Sequence, residues 1–200
     1  MCPGDVCPIL ISSSHLKEDV SGDERMLTTN NARVETINES TMYKPVLEKG
    51  KRCVIPVEGF YEWQTNTAMK GSNRSVYFIY MPQKENVKIE TRTTWEDTED
   101  VNLMYMAGLF DVWYDDKGDS VFSFTVLTFE SDDVFAWLHH RTPAILETQE
   151  QIDIWLNHQK YPKDVAMEVI KHPKEIIWHQ VSTSVNNSRF KAESCKFPIK

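Results

Sequence analysis

The 200-residue chain has no excess of positive charge: 22 lysines and arginines face 30 aspartates and glutamates, for a net charge of −8. That argues against the broad basic surface that many nucleic-acid binders carry. It leaves room for a local basic groove, because phosphates respond to local potential. Long apolar runs are also missing. The longest, residues 121–129, is too short to cross a bilayer, so no membrane partner is expected. Cysteine is scarce. Cys2, Cys7, Cys53 and Cys195 form no CxxC pair and have no histidine at zinc-ligand spacing, so neither a metal nor a cofactor is expected. A reduced, intracellular protein is the simplest reading. The start, Met1-Cys2-Pro3-Gly4, lacks the basic-then-apolar profile of a signal peptide. With no internal repeat and no linker, residues 1–200 are read as one domain.

What is present is strand-rich in the middle and helical toward the end. Composition and alternation predict strands over 53–57, 60–63, 76–81, 103–113 and 121–129, with a turn at 114–119. Residues 7–11 are read as a further short strand. Apolar residues are sparse over 32–47 and support a helix there only weakly. Residues 84–101 carry six acids and are read as a solvated insertion. Thr148 with Gln151 fits a capping box ahead of Ile152, Trp155 and Leu156. Pro162 suits the first turn of another helix, with Val165, Val169 and Ile170 on one side. Residues 176–181 return to strand. The order of elements implies a single α+β domain with a mainly antiparallel sheet, in which 53–57, 60–63, 103–113 and 121–129 pair together.

Three short runs hold the chemistry. In Glu58-Gly59-Phe60-Tyr61-Glu62-Trp63-Gln64, strand alternation puts Phe60 and Glu62 on one face and Tyr61 and Trp63 on the other. A carboxyl among aromatics is desolvated, which favours its protonated, acid-donating form. The bland alternative is a Glu62 pointing outward from an edge strand. In His139-His140-Arg141-Thr142-Pro143, Pro143 holds Thr142 extended, and imidazole is the natural acid/base at neutral pH. The alternative is a histidine held by a backbone carbonyl. In Asn31-Ala32-Arg33-Val34-Glu35-Thr36, Arg33, like Arg141, suits a phosphate; it also suits an ion pair with Glu35. Asn31 suits a sugar or an amide, or caps a turn. The basic turn Lys49-Gly50-Lys51-Arg52 adds to the cationic candidates. Trp63 and Trp137 are read as core.

Cys2 is a candidate nucleophile for a separate reason. Loss of Met1 would make it the N-terminus, with thiol and α-amine on one residue. An α-amine has a pKa of about 7.7–8.0, against about 10.4 for lysine. Its neutral fraction can attack an aldehyde, after which sulfur closes a thiazolidine.

These runs, with His139-His140-Arg141-Thr142-Pro143-Ala144-Ile145-Leu146 and Val181-Ser182-Thr183-Ser184-Val185-Asn186-Asn187-Ser188-Arg189, resemble the SRAP (SOS-response-associated peptidase) family. The likeness runs over about 27–195. It implies a β-rich α+β domain with a barrel-like sheet and a cleft for single-stranded DNA. It also implies covalent capture of abasic sites through an N-terminal cysteine. By that resemblance Glu62 would help open the sugar ring and His139 would stabilise or reverse the adduct. Asn31 would orient the cysteine region, and Arg33 and Arg141 would hold phosphates. The same resemblance implies a nuclear, monomeric protein acting near replication-associated partners.

The chain departs from the family pattern in three places. The family begins Met-Cys-Gly-Arg, where this chain has Pro3 and Gly4. A Trp-Gly-Leu-x-Pro-x-Trp segment normally precedes the Asn-Ala-Arg run, where Met26-Leu27-Thr28-Thr29 stands here. Thr142 replaces a usual methionine. Residues 1–10 look like an internal family strand, so the chain is read as a shortened SRAP domain. Cys2 is its nucleophile only if Met1 is lost and the start is genuine, and covalent capture by the shortened chain is expected to be weak or absent. The rival readings are a DNA-binding or scaffold fragment without a nucleophile, and a cysteine peptidase with a Cys-His-Glu set.

Overall fold

The structure, a computed structural model, describes residues 6–16, 27, 29–65, 71–95 and 100–199. Two sheets dominate it. The larger has the order β1-β3-β6-β7-β2, formed by β1 (Leu10–Ile11), β2 (Asn31–Arg33), β3 (Arg52–Val57), β6 (Met104–Tyr114) and β7 (Ser120–Glu130), with β8 (Arg141–Pro143) also on β7. The smaller has the order β4-β5-β9, formed by β4 (Phe60–Trp63), β5 (Val76–Tyr80) and β9 (Ile177–Val181). All pairings are antiparallel except β2 on β7. The α+β class and the mainly antiparallel sheet are as expected. The single shared sheet is not: residues 60–63 leave the strands expected beside them and pair with β5. Only two residues, Glu58 and Gly59, separate β3 from β4, so the chain turns sharply there. Gly59 permits this, because a Cβ there would lie 2.3 Å from the Ile79 carbonyl oxygen.

Strand alternation sorts the larger sheet into two faces. Val54, Ala107, Leu109, Leu127, Ala144 and Leu146 face one core, where helices α1 (Tyr43–Glu48), α2 (Gln149–Leu156) and α3 (Lys163–Glu168) pack through Val46, Leu47, Ile152, Trp155 and Ala166. The indole N–H of Trp155 donates to the Cys53 carbonyl at 2.9 Å and pins α2 to β3. Cys53, Ile55, Met104, Met106, Phe110 and Val112 face a second core, shared with Phe60, Tyr77 and Ile79 of the smaller sheet. The far face of the smaller sheet makes a third core, where Val76, Phe78 and Val181 meet Ile89 and Val101. The layers therefore run helices, larger sheet, smaller sheet, then the 81–103 connection. That connection is not the fully solvated insertion its acids implied: Ile89 is 1% exposed and Val101 8%.

The Thr148–Gln151 capping box is present in both directions. Pro162 sits at the N-cap of α3, just outside its first turn. On the side expected to be apolar, Ile170 is buried and Val169 packs against the first core, but Val165 is exposed and Ala166 is buried in its stead. Residues 32–47 give a short strand, a 3-10 turn at Val34–Thr36 and α1. The basic turn is not a free cationic surface. Lys51 is buried against Asp111 at 2.5 Å, and Arg52, 1% exposed, lies over the Trp155 ring and donates to the Tyr161 carbonyl.

At the centre of the larger sheet, β6 and β7 pair from Tyr114–Ser120 to Gly108–Val126 and then separate. Residues 141–146 fill the fork. Ala144 bonds both sides: Ala107 N–H donates to its carbonyl at 2.9 Å, and its own N–H donates to Leu127 at 2.8 Å. This wedge fixes the residues just before it, His139 and His140.

Candidate active site between the two sheets

Glu62 lies on β4, an edge strand, but it does not point outward. It is in register with Tyr77 on the face shared with Phe60, whereas Tyr61 and Trp63 pack in the third core. The alternation read from sequence therefore holds. The end of β4 is stitched to the segment preceding the wedge. Thr65 N–H donates to Leu138 at 2.9 Å, and the Gln64 side chain reaches the Trp137 carbonyl at 3.4 Å. Phe135 and Leu138, both buried, anchor that segment in the intersheet core.

The result brings the Glu62 carboxyl to 3.9 Å from His139 Nε2, although 77 positions separate them in the chain. About a fifth of each side chain is exposed. The His139 Nδ1 is held by the Arg141 backbone, 3.1 Å from its N–H and 3.2 Å from its carbonyl oxygen, which leaves Nε2 facing Glu62. Burial pushes the Glu62 carboxyl up to about 7, against the opposing pull of a Trp63 N–H hydrogen bond and the charges of Arg74 and His140. A separation of 3.9 Å is beyond a direct hydrogen bond. It is short enough for one substrate oxygen to touch both groups. A Glu62 carboxyl that titrates at about 7 can donate a proton at neutral pH, as acid/base chemistry on a small polar group requires.

The larger sheet presents the other candidates on the face turned to this pair. On β2 the exposed Asn31 and Arg33 flank the buried Ala32, opposite Val126 and Thr128 of β7. Arg141 is on the same face of β8. Its guanidinium grips Glu35 through two bonds, at 3.1 and 2.9 Å, and donates to the Thr128 carbonyl. The ion pair considered for Arg33 thus falls on Arg141. Burial of Glu35 works the other way, but the Arg141 hydrogen bonds and the Glu130 N–H hold its carboxyl down at about 2. Arg33 is exposed at the end of β2. Cys2 lies outside the described residues. Cys7 lies against the intersheet core, where burial pushes its thiol up; Cys53 and Cys195 are buried.

Two neighbours were assigned no role from the sequence, although His140 belongs to the histidine pair singled out there. Arg74 reaches Glu62 electrostatically from just before β5, and no motif marks it. His140 packs on the His139 ring at 4.4 Å and lines a cavity of about 330 Å³ with Thr65, Glu130, Ser131 and Ala136. The adjacent histidines were its only signal. A larger cavity, about 520 Å³, lies between Ser12–Ser14 and 153–161, and none of the candidate residues lines it.

A two-sheet α+β scaffold thus sets a desolvated acid against an imidazole between its layers. The chain belongs to the SOS response associated peptidase (SRAP) family, whose profile matches residues 12–188. It is 36% identical, over 98% of its length and 64% of the relative's, to the abasic site processing protein HMCES of Xenopus tropicalis. With the HMCES of Gallus gallus the identity is 34%, over 96% and 63%. With the abasic site processing protein YoqW of Bacillus subtilis it is 28%, over 80% and 62%. The chain thus spans a little under two thirds of the length of these relatives. Among solved structures, a Bacteroides thetaiotaomicron protein superposes with a TM-score of 0.63 at 25% identity, over 85% of this chain and 66% of that one. A Bordetella bronchiseptica protein, at 20% identity and a TM-score of 0.57 over 76% and 64%, shares the fold. Among the described residues no helix is long and apolar enough to cross a membrane.

Proposed function

We propose that this protein processes abasic sites in single-stranded DNA, forming a thiazolidine link to the opened sugar through the amine and thiol of Cys2. The observation that carries the reading is the Glu62 carboxyl, lifted to about 7 and set against His139 Nε2 in a family whose relatives are named for abasic-site processing. An abasic deoxyribose is mostly a closed hemiacetal. Protonated Glu62 gives its proton to the ring oxygen while His139 takes the proton of the anomeric hydroxyl, the bond from C1 to the ring oxygen breaks and the aldehyde is exposed. The Cys2 amine adds to that carbon and water leaves. The thiol then adds across the C=N bond and closes the five-membered ring, so aldehyde and cysteine give thiazolidine and one water. His139 shares the proton with Glu62 in both directions, which allows reversal. Asn31 orients the cysteine region. Arg33 is the open phosphate contact, and Arg141 meets a phosphate only by sharing its guanidinium with Glu35. In this reading the protein acts as a monomer in the nucleus, near replication-associated partners.

The test is a denaturing gel of the protein, with Met1 removed, mixed with single-stranded oligonucleotides with and without an abasic site. A shifted band is expected only with the abasic strand. It should be lost in Cys2→Ala and slowed in Glu62→Gln. Pro3 is stiffer than the glycine of the family pattern, so capture should be slower than by a chain beginning Met-Cys-Gly-Arg. Non-covalent binding should weaken steeply with salt and fall in Arg33→Glu, because it rests on phosphate contacts. Equal binding of duplex and single strand, or salt-insensitive binding untouched by Arg33→Glu, would overturn the reading. An adduct that persists in Cys2→Ala would remove Cys2 as nucleophile.

A further inference from the structure

The face of the smaller sheet that carries Glu62 continues into an aromatic series the chemistry above does not use. Tyr77 is the cross-strand partner of Glu62. Its ring meets Trp137 edge-on, with centroids 5.1 Å apart, and Trp137 meets Trp178 of β9 at 5.4 Å. Trp137 lies two residues before His139, and its carbonyl accepts the Gln64 amide that ties down the end of β4. The series therefore starts at the acid, passes beside the imidazole and ends on a tryptophan that is 37% exposed.

We infer that Tyr77, Trp137 and Trp178 form a stacking track for the unpaired base that neighbours the sugar held at Glu62. The inference rests on the single-stranded DNA reading above and names what holds the strand beyond its phosphates. An extended single strand must place its flanking bases somewhere once their pairing partners are gone, and an indole face suits any base. Trp178 has the right extent for this. The neighbouring exposed apolar residue on β9, Ile177, points to the opposite face by strand alternation, so on this face Trp178 stands as one ring. One ring is far too small for a protein interface, which needs on the order of 800 Å² per partner, and matches a single base. Gln180, opposite Tyr77 on the same face, is polar. Arg74 brings positive charge to the Glu62 end, where the phosphates on either side of the sugar would pass. The inner rings, already packed on one another, hold Trp178 in place so that little side-chain freedom is lost on binding.

Two single-stranded oligonucleotides of equal length test this. Each carries a central tetrahydrofuran, a stable abasic mimic. In one it is flanked by thymines, and in the other the flanking nucleotides are also tetrahydrofurans, which keep the phosphates but offer nothing to stack. By fluorescence anisotropy, Trp178→Ala should weaken binding of the thymine-flanked strand by about tenfold and leave the base-stripped strand essentially unchanged. Trp178→Phe should restore most of the loss. Thymine-flanked strands should also change the intrinsic tryptophan emission more than stripped ones. Equal losses on both strands would make Trp178 a structural residue, and no loss on either would put the bases elsewhere; both results overturn the track. If the unsubstituted protein binds neither strand, the functional reading itself fails and the track falls with it.

Discussion

Replacing Glu62 with glutamine should make the protein more stable at neutral pH while removing its acid. The amide keeps the shape and the oxygen that accepts the Trp63 N–H. It removes the charge that burial opposes. Raising a carboxyl from 4.5 to about 7 corresponds to ~3 kcal/mol of disfavour for the charged form, at about 1.4 kcal/mol per tenfold. With a fifth of the side chain still exposed, about 2–3 kcal/mol is the reasonable expectation. The folded value lies above the unfolded one, so between 4.5 and about 7 the native state binds more protons than the unfolded state. Stability contributed by the protonated form is full at the lower end of that window and is lost as pH rises through about 7. Denaturant melts of the native protein and Glu62→Gln should nearly coincide at pH 4.5. They should separate as pH rises and reach a constant gap, the variant ahead, by pH 8. A gap that does not change with pH would refute the argument, because the glutamine would then be acting through packing and not through a desolvated charge.

Three further outcomes follow from the same structure. Asp111→Ala strands Lys51, buried against it at 2.5 Å, as an unpaired charge, and should cost about 3–5 kcal/mol in a urea melt; Lys51→Met combined with it should recover most of that loss. Thr148→Ala removes one half of the capping box and should cost about 1 kcal/mol, read as a lower melting temperature with site chemistry intact. Glu35→Gln breaks the bidentate grip on Arg141. Because the folded Glu35 value sits at about 2, the stability difference between native protein and variant should be present above pH 4.5 and shrink as pH falls toward 2, followed by circular dichroism.

The parts of this fold that were legible in the sequence are those settled by near neighbours. Phe60 and Glu62 on one face and Tyr61 and Trp63 on the other need only the two-residue period of a strand, and the capping box needs only four consecutive residues. The partner of β4 was not legible. Nothing within residues 58–63 says that the turn at Gly59 sends that strand to β5 and, through it, to Ile177–Val181. Lys51 and Arg52 read as a surface turn because Asp111 and Trp155, which make them core residues, lie 60 and 103 positions on. Glu35 was legible as an ion-pair partner, but its cation is Arg141 and not its neighbour Arg33, since β2 and β8 both lie along β7. Of the candidate site, the acid and the imidazole could be named in advance. Their meeting in one cleft was expected as well; what was not legible is the means, the stitch between Thr65 and Leu138.

The wedge at 141–146 also orders events in time. A two-sided seat for Ala144 exists only after β6 and β7 have paired as far as Gly108 and Val126, because its two hydrogen bonds go one to each strand. Ala144 lies 17 positions from Leu127 and 37 from Ala107, so the fork closes after the β6–β7 hairpin that forms it. His139 is held by the backbone immediately ahead of the wedge, so the imidazole takes its place beside Glu62 once the wedge is seated between β6 and β7. A nascent or partly unfolded chain would carry every reactive group and still have no working site. Because both amides are hydrogen-bonded across the fork, protection of Ala107 and Ala144 from hydrogen exchange should mark, in a population of molecules, the fraction in which the acid and the imidazole are assembled.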